Sequence, residues 1–293
     1  MKSLTITATL LSTITFIAQA EINVVASVKP VHSLVSAVME GIGVPDLIVK
    51  GAASPHTYAL KPSQAEQIEK ADLVFWMGHS LETFLEKPLE ALGTKAMVVE
   101  LMDSEGLKKL KMREGGGFDD HDHDEHDDHD EHDDHDEHDE HDEHSKESHD
   151  EHGHGEFDVH VWLDPENAKV MANEIMEALK KVDPGNAKKY ETNTKKIVEK
   201  LNQLVAEISA ELSSVKGKGF IVFHDAYQYF EERFGLKAVG SITVSPEVVP
   251  GVKRIKELKT KIKELNALCV FSEPQFKPKL VSTVVEGTKA KTG

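Results

Sequence analysis

A single cysteine, Cys269, is all that the sequence of 293 residues contains, so no disulfide can form within the chain. After residues 1–20, the sequence also lacks any apolar run long enough to cross a bilayer. These two absences exclude a small scaffold held by disulfides and a protein with several membrane spans. The chain is long enough to form two domains instead.

An excess of basic residues is missing as well. The chain has 34 Lys and Arg against 52 Asp and Glu, but residues 119–154 hold one of the basic residues and 20 of the acids. The remaining chain therefore has 33 basic and 32 acidic residues and is close to neutral. Nothing in this balance supports a nucleic-acid-binding surface or a basic membrane patch, so no nucleic acid is expected as a partner.

Residues 119–154 form an acidic, histidine-rich run without any apolar residue, so the run cannot bury a core and is predicted to be a disordered loop. Imidazole and carboxylate both bind borderline divalent cations, which predicts weak metal binding at many sites. A solvated acidic linker is the alternative, but solubility alone does not need imidazole. The candidate weak ligands are His121, His123, His126, His129, His132, His135, His138, His141, His144, His149, His152 and His154.

The N-terminus has the pattern of a cleavable secretory signal peptide, predicted for residues 1–20. Lys2 supplies a short positive start, an apolar stretch covers residues 4–17, and Ala18-Gln19-Ala20 forms a small-residue cleavage site. A membrane anchor is the alternative, but the apolar stretch is short and diluted by Thr and Ser. The mature protein is expected to begin near Glu21 outside the cytoplasm, in the periplasm.

After Glu21, short apolar runs alternate with helical periodicity, which predicts an N-terminal α/β lobe over residues 21–182 with the histidine-rich loop inside it. Ser63 and Glu66 are spaced as a capping box at a helix start. Asp164-Pro165 is a cap-and-start signal for a helix to about Lys181. Strands are predicted at 22–26, 47–49, 71–77 and 96–101, and helices from Pro30 and at 63–70 and 81–92.

Residues 183–214 carry apolar side chains at helical spacing and are predicted to form one long helix that joins two lobes rigidly. An ordinary packed helix with a kink is the alternative. A second α/β lobe is predicted for residues 215–293, with strands at 219–223, 236–243 and 269–272 and helices at 226–234, 251–265 and 278–286. Residues 288–293 look like the start of a further strand that does not form, so this lobe is expected to be truncated.

Five histidines lie outside the histidine-rich loop, and three of them, His56, His160 and His224, lie at or just beyond predicted strands, before helices. Ligands bind at such positions in open α/β sheets. Taken singly, each histidine is typical of a hydrogen-bonded structural residue. Together, next to a metal-binding loop, the three histidines predict a metal site.

Four segments carry a resemblance to a known family: Gly51–Ser63, Asp158–Pro165, Phe223–Tyr227 and Phe271–Phe276. In this order, and with an acidic histidine-rich insertion before the second segment, they resemble the zinc-binding periplasmic proteins of bacterial ABC importers, the ZnuA type. The resemblance implies two α/β lobes, each with a mostly parallel sheet, joined by a long helix, with one Zn²⁺ in the cleft between them. It places three histidine ligands at His56, His160 and His224.

The sequence departs from this family in two ways. Family members often supply a fourth oxygen ligand from a Glu just before the first histidine, where this chain has Pro55, or from an Asp in a C-terminal strand that lies beyond Gly293. Related zinc proteins can also pair the position of Cys269 with a cysteine near their own C-terminus. The expectation is a truncated chain in which water holds the fourth zinc position.

The resemblance implies a non-enzymatic, monomeric receptor that captures Zn²⁺ and delivers it to the membrane permease of an ABC importer, with periplasmic zinc chaperones as further partners. A zinc hydrolase is one alternative, because three histidines and a water also form a catalytic zinc site. It would need a general base, and acids near the histidines are better interpreted as orienting the imidazoles. A zinc buffer or chaperone acting through the histidine-rich loop is the other alternative.

Overall fold

The computed structural model of the protein describes residues 22–113, 156–243, 250–265, 267–276 and 278–293. The predicted signal peptide and the predicted histidine-rich loop, with its twelve candidate ligands, lie outside these residues. The described chain forms two parallel four-stranded sheets flanked by helices, which confirms the α/β fold class. None of the helices in these ranges is both long and apolar enough to span a membrane.

The first sheet has the strand order β2-β1-β3-β4, and all its pairs are parallel. Its central strands are runs of buried apolar residues, as expected for a sheet covered on both faces. The strands are β1 (Val24–Ala26), β2 (Asp46–Leu47), β3 (Leu73–Trp76) and β4 (Met97–Glu100), and the helices between them are α1 (Lys29–Val38), α2 (Pro62–Lys70) and α3 (Thr83–Leu92).

Two further helices complete this unit, α4 (Pro165–Val182) and α5 (Ala187–Glu211), and both pack against α1. The Asp164 side chain caps α4 by accepting a hydrogen bond from the backbone N–H of Glu166, as predicted. Asn193 of α5 donates its side-chain amide to the carbonyl oxygens of Val38 and Glu40 at 2.9 Å each, and so binds the end of α1. We call β1–β4 with α1–α4 and the first half of α5 the first lobe.

Helix α5 is continuous over 25 residues, roughly 37 Å at 1.5 Å per residue. Its buried residues, Tyr190, Asn193, Thr194 and Ile197, all lie in its first half. Farther along, Leu204 is 40% exposed. The first half of α5 therefore belongs to the core of the first lobe, whereas the second half is largely exposed and leads through a 3-10 turn (Leu212–Ser214) to the second sheet.

The second sheet repeats the topology of the first, with the order β6-β5-β7-β8 and parallel pairing throughout. A separate apolar core includes Ile221, Phe223, Ile262 and Val281. We call this unit the second lobe. Its strands are β5 (Phe220–His224), β6 (Ala238–Thr243), β7 (Cys269–Val270) and β8 (Lys291–Thr292), and its helices are α6 (Gln228–Phe234), α7 (Val252–Glu264) and α8 (Pro278–Val285).

Two local predictions are wrong. A strand does follow α8, because Lys291 donates its N–H to Leu268 and Gly293 donates to Val270, so that β8 pairs with β7. The Ser63 capping box also does not form. Pro62 already occupies the first turn, and the Gln64 side-chain oxygen accepts a hydrogen bond from the backbone N–H of Lys61 at 2.9 Å. Proline prefers the first helical position, which moves the cap to the residue before it.

Candidate metal centre

Three histidines from separate parts of the chain converge between the two lobes. His56 lies in a single 3-10 turn (Pro55–Thr57) after β2, His160 precedes a 3-10 turn (Val161–Leu163) that leads into α4, and His224 is the last residue of β5. One ring nitrogen from each lies within 4.8 Å of the others. His56 and His224 thus follow or end parallel strands, at the sheet edge where ligands usually bind, whereas His160 comes from the segment that leads into α4.

The spacing of the ring nitrogens fits a small tetrahedral ion. The Nε2 atoms of His160 and His224 are 3.4 Å apart. Zinc–nitrogen bonds of about 2.0–2.1 Å at tetrahedral angles separate two ligand nitrogens by roughly 3.3–3.4 Å. The two Nε2 atoms therefore already stand at the distance that such an ion requires.

Two buried carboxylates orient these two rings. Asp158 Oδ1 lies 2.7 Å from His160 Nδ1, and Glu273 Oε1 lies 2.7 Å from His224 Nδ1. Each of these oxygens also accepts a hydrogen bond from the backbone N–H of the same histidine. A carboxylate at Nδ1 favours the tautomer with its proton there, which leaves the Nε2 lone pair available for a metal.

His56 is held differently from the other two histidines. Its ring centroid lies 5.5 Å from that of His160 and 5.8 Å from that of His224, but no carboxylate of the described residues binds it as Asp158 and Glu273 bind their partners. Burial, followed by the rings of His160 and His224, lowers the pKa of His56 to about 3. Its imidazole is therefore neutral at physiological pH, which is the form that binds metal.

The histidines line a cavity of about 430 Å³, whose other walls include Trp162, Tyr227 and Phe276. Within the described part of the chain, these three histidines are the one cluster of His, Cys, Asp or Glu with metal-binding spacing. Pro55 has no side-chain oxygen to offer beside His56. The protein thus presents three nitrogen ligands in a mostly apolar cavity.

The other two described histidines lie apart from this cluster. His32 Nε2 is 3.0 Å from the carbonyl oxygen of Pro45. His79 lies between two carboxylates, with Glu86 3.5 Å from Nδ1 and Glu100 3.5 Å from Nε2. Because these carboxylates approach opposite nitrogens of the ring, they cannot bind one ion together with it.

Proteins described as zinc-uptake complex component A, periplasmic, form a family that matches residues 24–293. The chain belongs to this family. Within the zinc-uptake component A family, the High-affinity zinc uptake system protein ZnuA of Brucella abortus is 62% identical over 273 residues, which cover 92% of this chain and 82% of that protein. The protein of the same name from Yersinia pestis is 36% identical over 279 residues, covering 92% and 81%.

Two solved structures are similar in fold to this chain. A crystal structure of ZnuA has a TM-score of 0.72 at 22% identity and covers 92% of this chain and 89% of its own. The laminin-binding adhesin Lmb of Streptococcus agalactiae has a TM-score of 0.71 at 24% identity, covering 93% and 88%. Both similarities support the two-lobed α/β architecture.

The general expectation that acids near the histidines orient the imidazoles holds for Asp158 but not for Asp225. Asp225 directly follows His224, yet its carboxylate pairs with Arg113 of the first lobe rather than with the imidazole. Glu273, 49 positions from His224 in sequence, orients the ring instead. Its only sequence signal was membership of the quoted segment Phe271–Phe276. Nothing in the sequence indicated Arg113, because its partners come from the other lobe.

Proposed function

We propose that this protein is a receptor that captures Zn²⁺ outside the cytoplasm and delivers it to the membrane permease of an ABC importer. One observation carries the proposal most strongly: the Nε2 atoms of His160 and His224 face each other at 3.4 Å, and carboxylates bind both Nδ1 atoms. This arrangement suits a borderline ion of low coordination number. Membership of a family whose relatives are named for high-affinity zinc uptake supports the same ion.

In the proposed site, His56, His160 and His224 bind the ion through nitrogen, and a water holds the fourth position. The cavity that the histidines line leaves room for this water. The ligands come from both lobes, so binding of the ion holds the lobes together. Release to a permease then requires the lobes to separate.

The proposed location is the periplasm. Membership of a family described as periplasmic supports this location, as does the signal-peptide pattern of residues 1–20. We propose that the receptor is a monomer, because one chain provides all three ligands. Periplasmic zinc chaperones are proposed as additional partners that exchange Zn²⁺ with it.

The same three-histidine arrangement occurs in zinc hydrolases, so the distinction depends on the neighbouring acids. Hydrolysis needs a general base beside the zinc-bound water. Asp158 and Glu273 are instead bound to Nδ1 atoms, across each imidazole ring from the Nε2 atom that faces the other histidine. Their positions favour holding an ion over activating a water, and they support a receptor rather than an enzyme.

Metal competition tests the proposal. Zn²⁺ should bind far more tightly than Mn²⁺, because three imidazoles make a softer site than manganese prefers. His224→Glu should narrow this difference, chiefly by weakening zinc binding, and His56→Ala or His160→Ala should abolish tight binding. His79→Gln serves as the matched control and should bind zinc as the wild type does. Equal affinity of the wild type for both metals, or unchanged zinc affinity in His224→Ala, would show that the assigned site is wrong.

A further inference from the structure

Arginine is rare in this chain, and two of its three arginines join the lobes. Arg113, Arg233 and Arg254 are the only arginines among 34 basic residues. Arg233 of α6 makes a two-pronged contact with Asp164 of the first lobe at 2.6 and 2.7 Å. Arg113 of the first lobe contacts two acids of the second. A planar guanidinium can bind carboxylates through several parallel hydrogen bonds, which lysine cannot.

The Arg113 guanidinium binds Asp225 and Glu231 at once. Its Nε donates to both Asp225 oxygens at 3.1 and 3.0 Å, and its Nη2 donates to Asp225 as well. Nη1 and Nη2 donate to the two Glu231 oxygens at 3.1 and 2.9 Å. The side chains of Asp225 and Glu231 are only 12% and 6% exposed. One cation of the first lobe thus pairs with two nearly buried acids of the second.

These two acids adjoin the elements that hold the candidate ligands. Asp225 directly follows His224. Glu231 belongs to α6, whose Tyr229 donates its hydroxyl to the carbonyl oxygen of Asp158 at 2.7 Å and accepts the N–H of Leu110 at 2.9 Å. Asp158 in turn orients His160. Contacts between the lobes therefore reach Asp158, which orients His160, and Asp225, the residue next to His224.

Breaking a buried ion pair costs far more than breaking an exposed one, because the partner is left charged and poorly solvated. Without Arg113, Asp225 and Glu231 would lie close together without their cation. Separation of the lobes would let water reach both acids and relieve this cost. Arg113 should therefore favour the closed arrangement in which all three histidines meet.

We infer that Arg113 is a positioning residue for metal binding: through Asp225 and Glu231 it holds the second lobe closed on the first and so slows release of the ion. The inference rests on the proposed zinc-receptor function. Arg113 is not one of the three candidate ligands and acts through Asp225 and Glu231. Its effect should appear in the rate of zinc dissociation and in the separation of the lobes.

The test compares Arg113→Gln and Arg113→Lys with Lys108→Met as a matched control. Lys108 also joins the lobes, through Glu232 of α6, but its side chain and that of Glu232 are about half exposed and neither adjoins a histidine. Zinc dissociation into excess chelator is measured by stopped flow, and the radius of gyration of zinc-free protein is measured by small-angle X-ray scattering. Each experiment uses the full chain.

Arg113→Gln should release zinc at least about tenfold faster than the wild type, since losing a partner of a buried charge pair acts mainly on dissociation. The zinc-free variant should also have a larger radius of gyration. Arg113→Lys keeps the positive charge but loses the planar guanidinium, so its dissociation rate should lie between those of the wild type and Arg113→Gln. Lys108→Met should stay within about twofold of the wild type, because exposed ion pairs contribute little.

The inference is wrong if zinc dissociates from both Arg113 variants at the same rate as from Lys108→Met. If Arg113→Gln does not fold, Arg113→Lys alone decides the question by the same comparison. Failure of the wild type to bind one zinc tightly would instead overturn the proposed function. The two failures are therefore distinguishable in one set of measurements.

Discussion

At the residue scale, two carboxylates determine how the candidate ligands face the cleft. Asp158→Asn and Glu273→Gln each keep the size of the side chain but remove the charge that favours a proton on the Nδ1 atom of the histidine. Each should weaken zinc binding by about 10- to 100-fold, as loss of such outer contacts usually does. Calorimetry or chelator competition would measure this. Asp46→Asn, at an exposed site, is the control, and equal affinities for all the variants would contradict the assigned role.

A second residue-scale feature, Glu82, lies in the core of the first lobe and is fully buried. Its carboxylate accepts hydrogen bonds from the Ser27 hydroxyl and from the backbone N–H groups of Met77 and Gly78, so it connects the ends of β1 and β3. Burial raises the pKa of Glu82 to about 7 and outweighs these hydrogen bonds, which lower it. The first lobe therefore contains an acid that titrates near neutrality.

The raised pKa of Glu82 predicts how the stability of the protein changes with pH. Because the folded pKa of about 7 lies above the unfolded value of 4.5, the folded chain binds more protons between these values. The free energy of unfolding should therefore rise as the pH falls from about 7 to about 4.5, by on the order of 3 kcal/mol from this residue. Urea unfolding of wild type and Glu82→Gln across this range should show the wild type gaining stability relative to the variant.

Glu90→Gln provides the control for this measurement, because Glu90 lies on α3, the helix that begins directly after Glu82, and is exposed. Its pH profile should run parallel to that of the wild type. A Glu82→Gln profile that also runs parallel to the wild type would contradict a raised pKa for Glu82.

At the element scale, α5 divides into a packed half and an exposed half. Ile197→Ala should lower the free energy of unfolding by about 2–5 kcal/mol, because it leaves a cavity in the core of the first lobe. Leu204→Ala makes the same kind of truncation on the same helix, but at an exposed site, and should change stability by no more than about 0.5–1 kcal/mol. Denaturant unfolding measures both. Equal losses would mean that the second half of α5 is packed as tightly as the first.

The sequence predicted the elements well where local chemistry determines them. Asp164-Pro165 starts α4 as expected, because both the cap and the first-turn proline act within the same few residues. The apolar spacing of α5 predicted a helix but not which half is covered, because coverage depends on α1 and α4. Strand β8 was missed because its two residues are exposed, and their only reason to be extended is pairing with β7.

The same division between local and distant contacts applies to the site. His56, His160 and His224 could be grouped from their positions after strands and from the family resemblance. The contact of Asp158 with His160 spans two positions and was within reach of the sequence. The contact of Arg113 with Asp225 spans 112 positions and joins two lobes, which no local pattern encodes. The proposed division of the chain at residues 182 and 214 also stays a prediction.

At the scale of the whole molecule, the candidate tight site and the predicted histidine-rich loop should be separable. All three candidate tight ligands lie outside residues 119–154. An ion that binds a flexible run must order that run, and the entropy cost weakens its binding. The cleft is already ordered when the protein folds, so an ion that binds there does not bear this cost. Titration should therefore resolve one tight zinc and several weaker ones. Deletion of residues 119–154 should remove only the weaker set.

A variant that replaces residues 119–154 by a Gly/Ser segment of equal length controls for the change in chain length. It should behave as the deletion does, because neither offers imidazole. Loss of the tight ion in both variants would contradict the assignment of the cleft.

The hydrogen bonds from Asn193 to Val38 and Glu40 have a consequence for folding kinetics. They close the first lobe across 155 and 153 positions of sequence, whereas the second-lobe core lies within residues 221–290. Contacts between distant residues form slowly. Both tryptophans, Trp76 and Trp162, belong to the first lobe. Refolding followed by tryptophan fluorescence should therefore lag behind the recovery of circular dichroism, and the lobe synthesised last should be the first to fold.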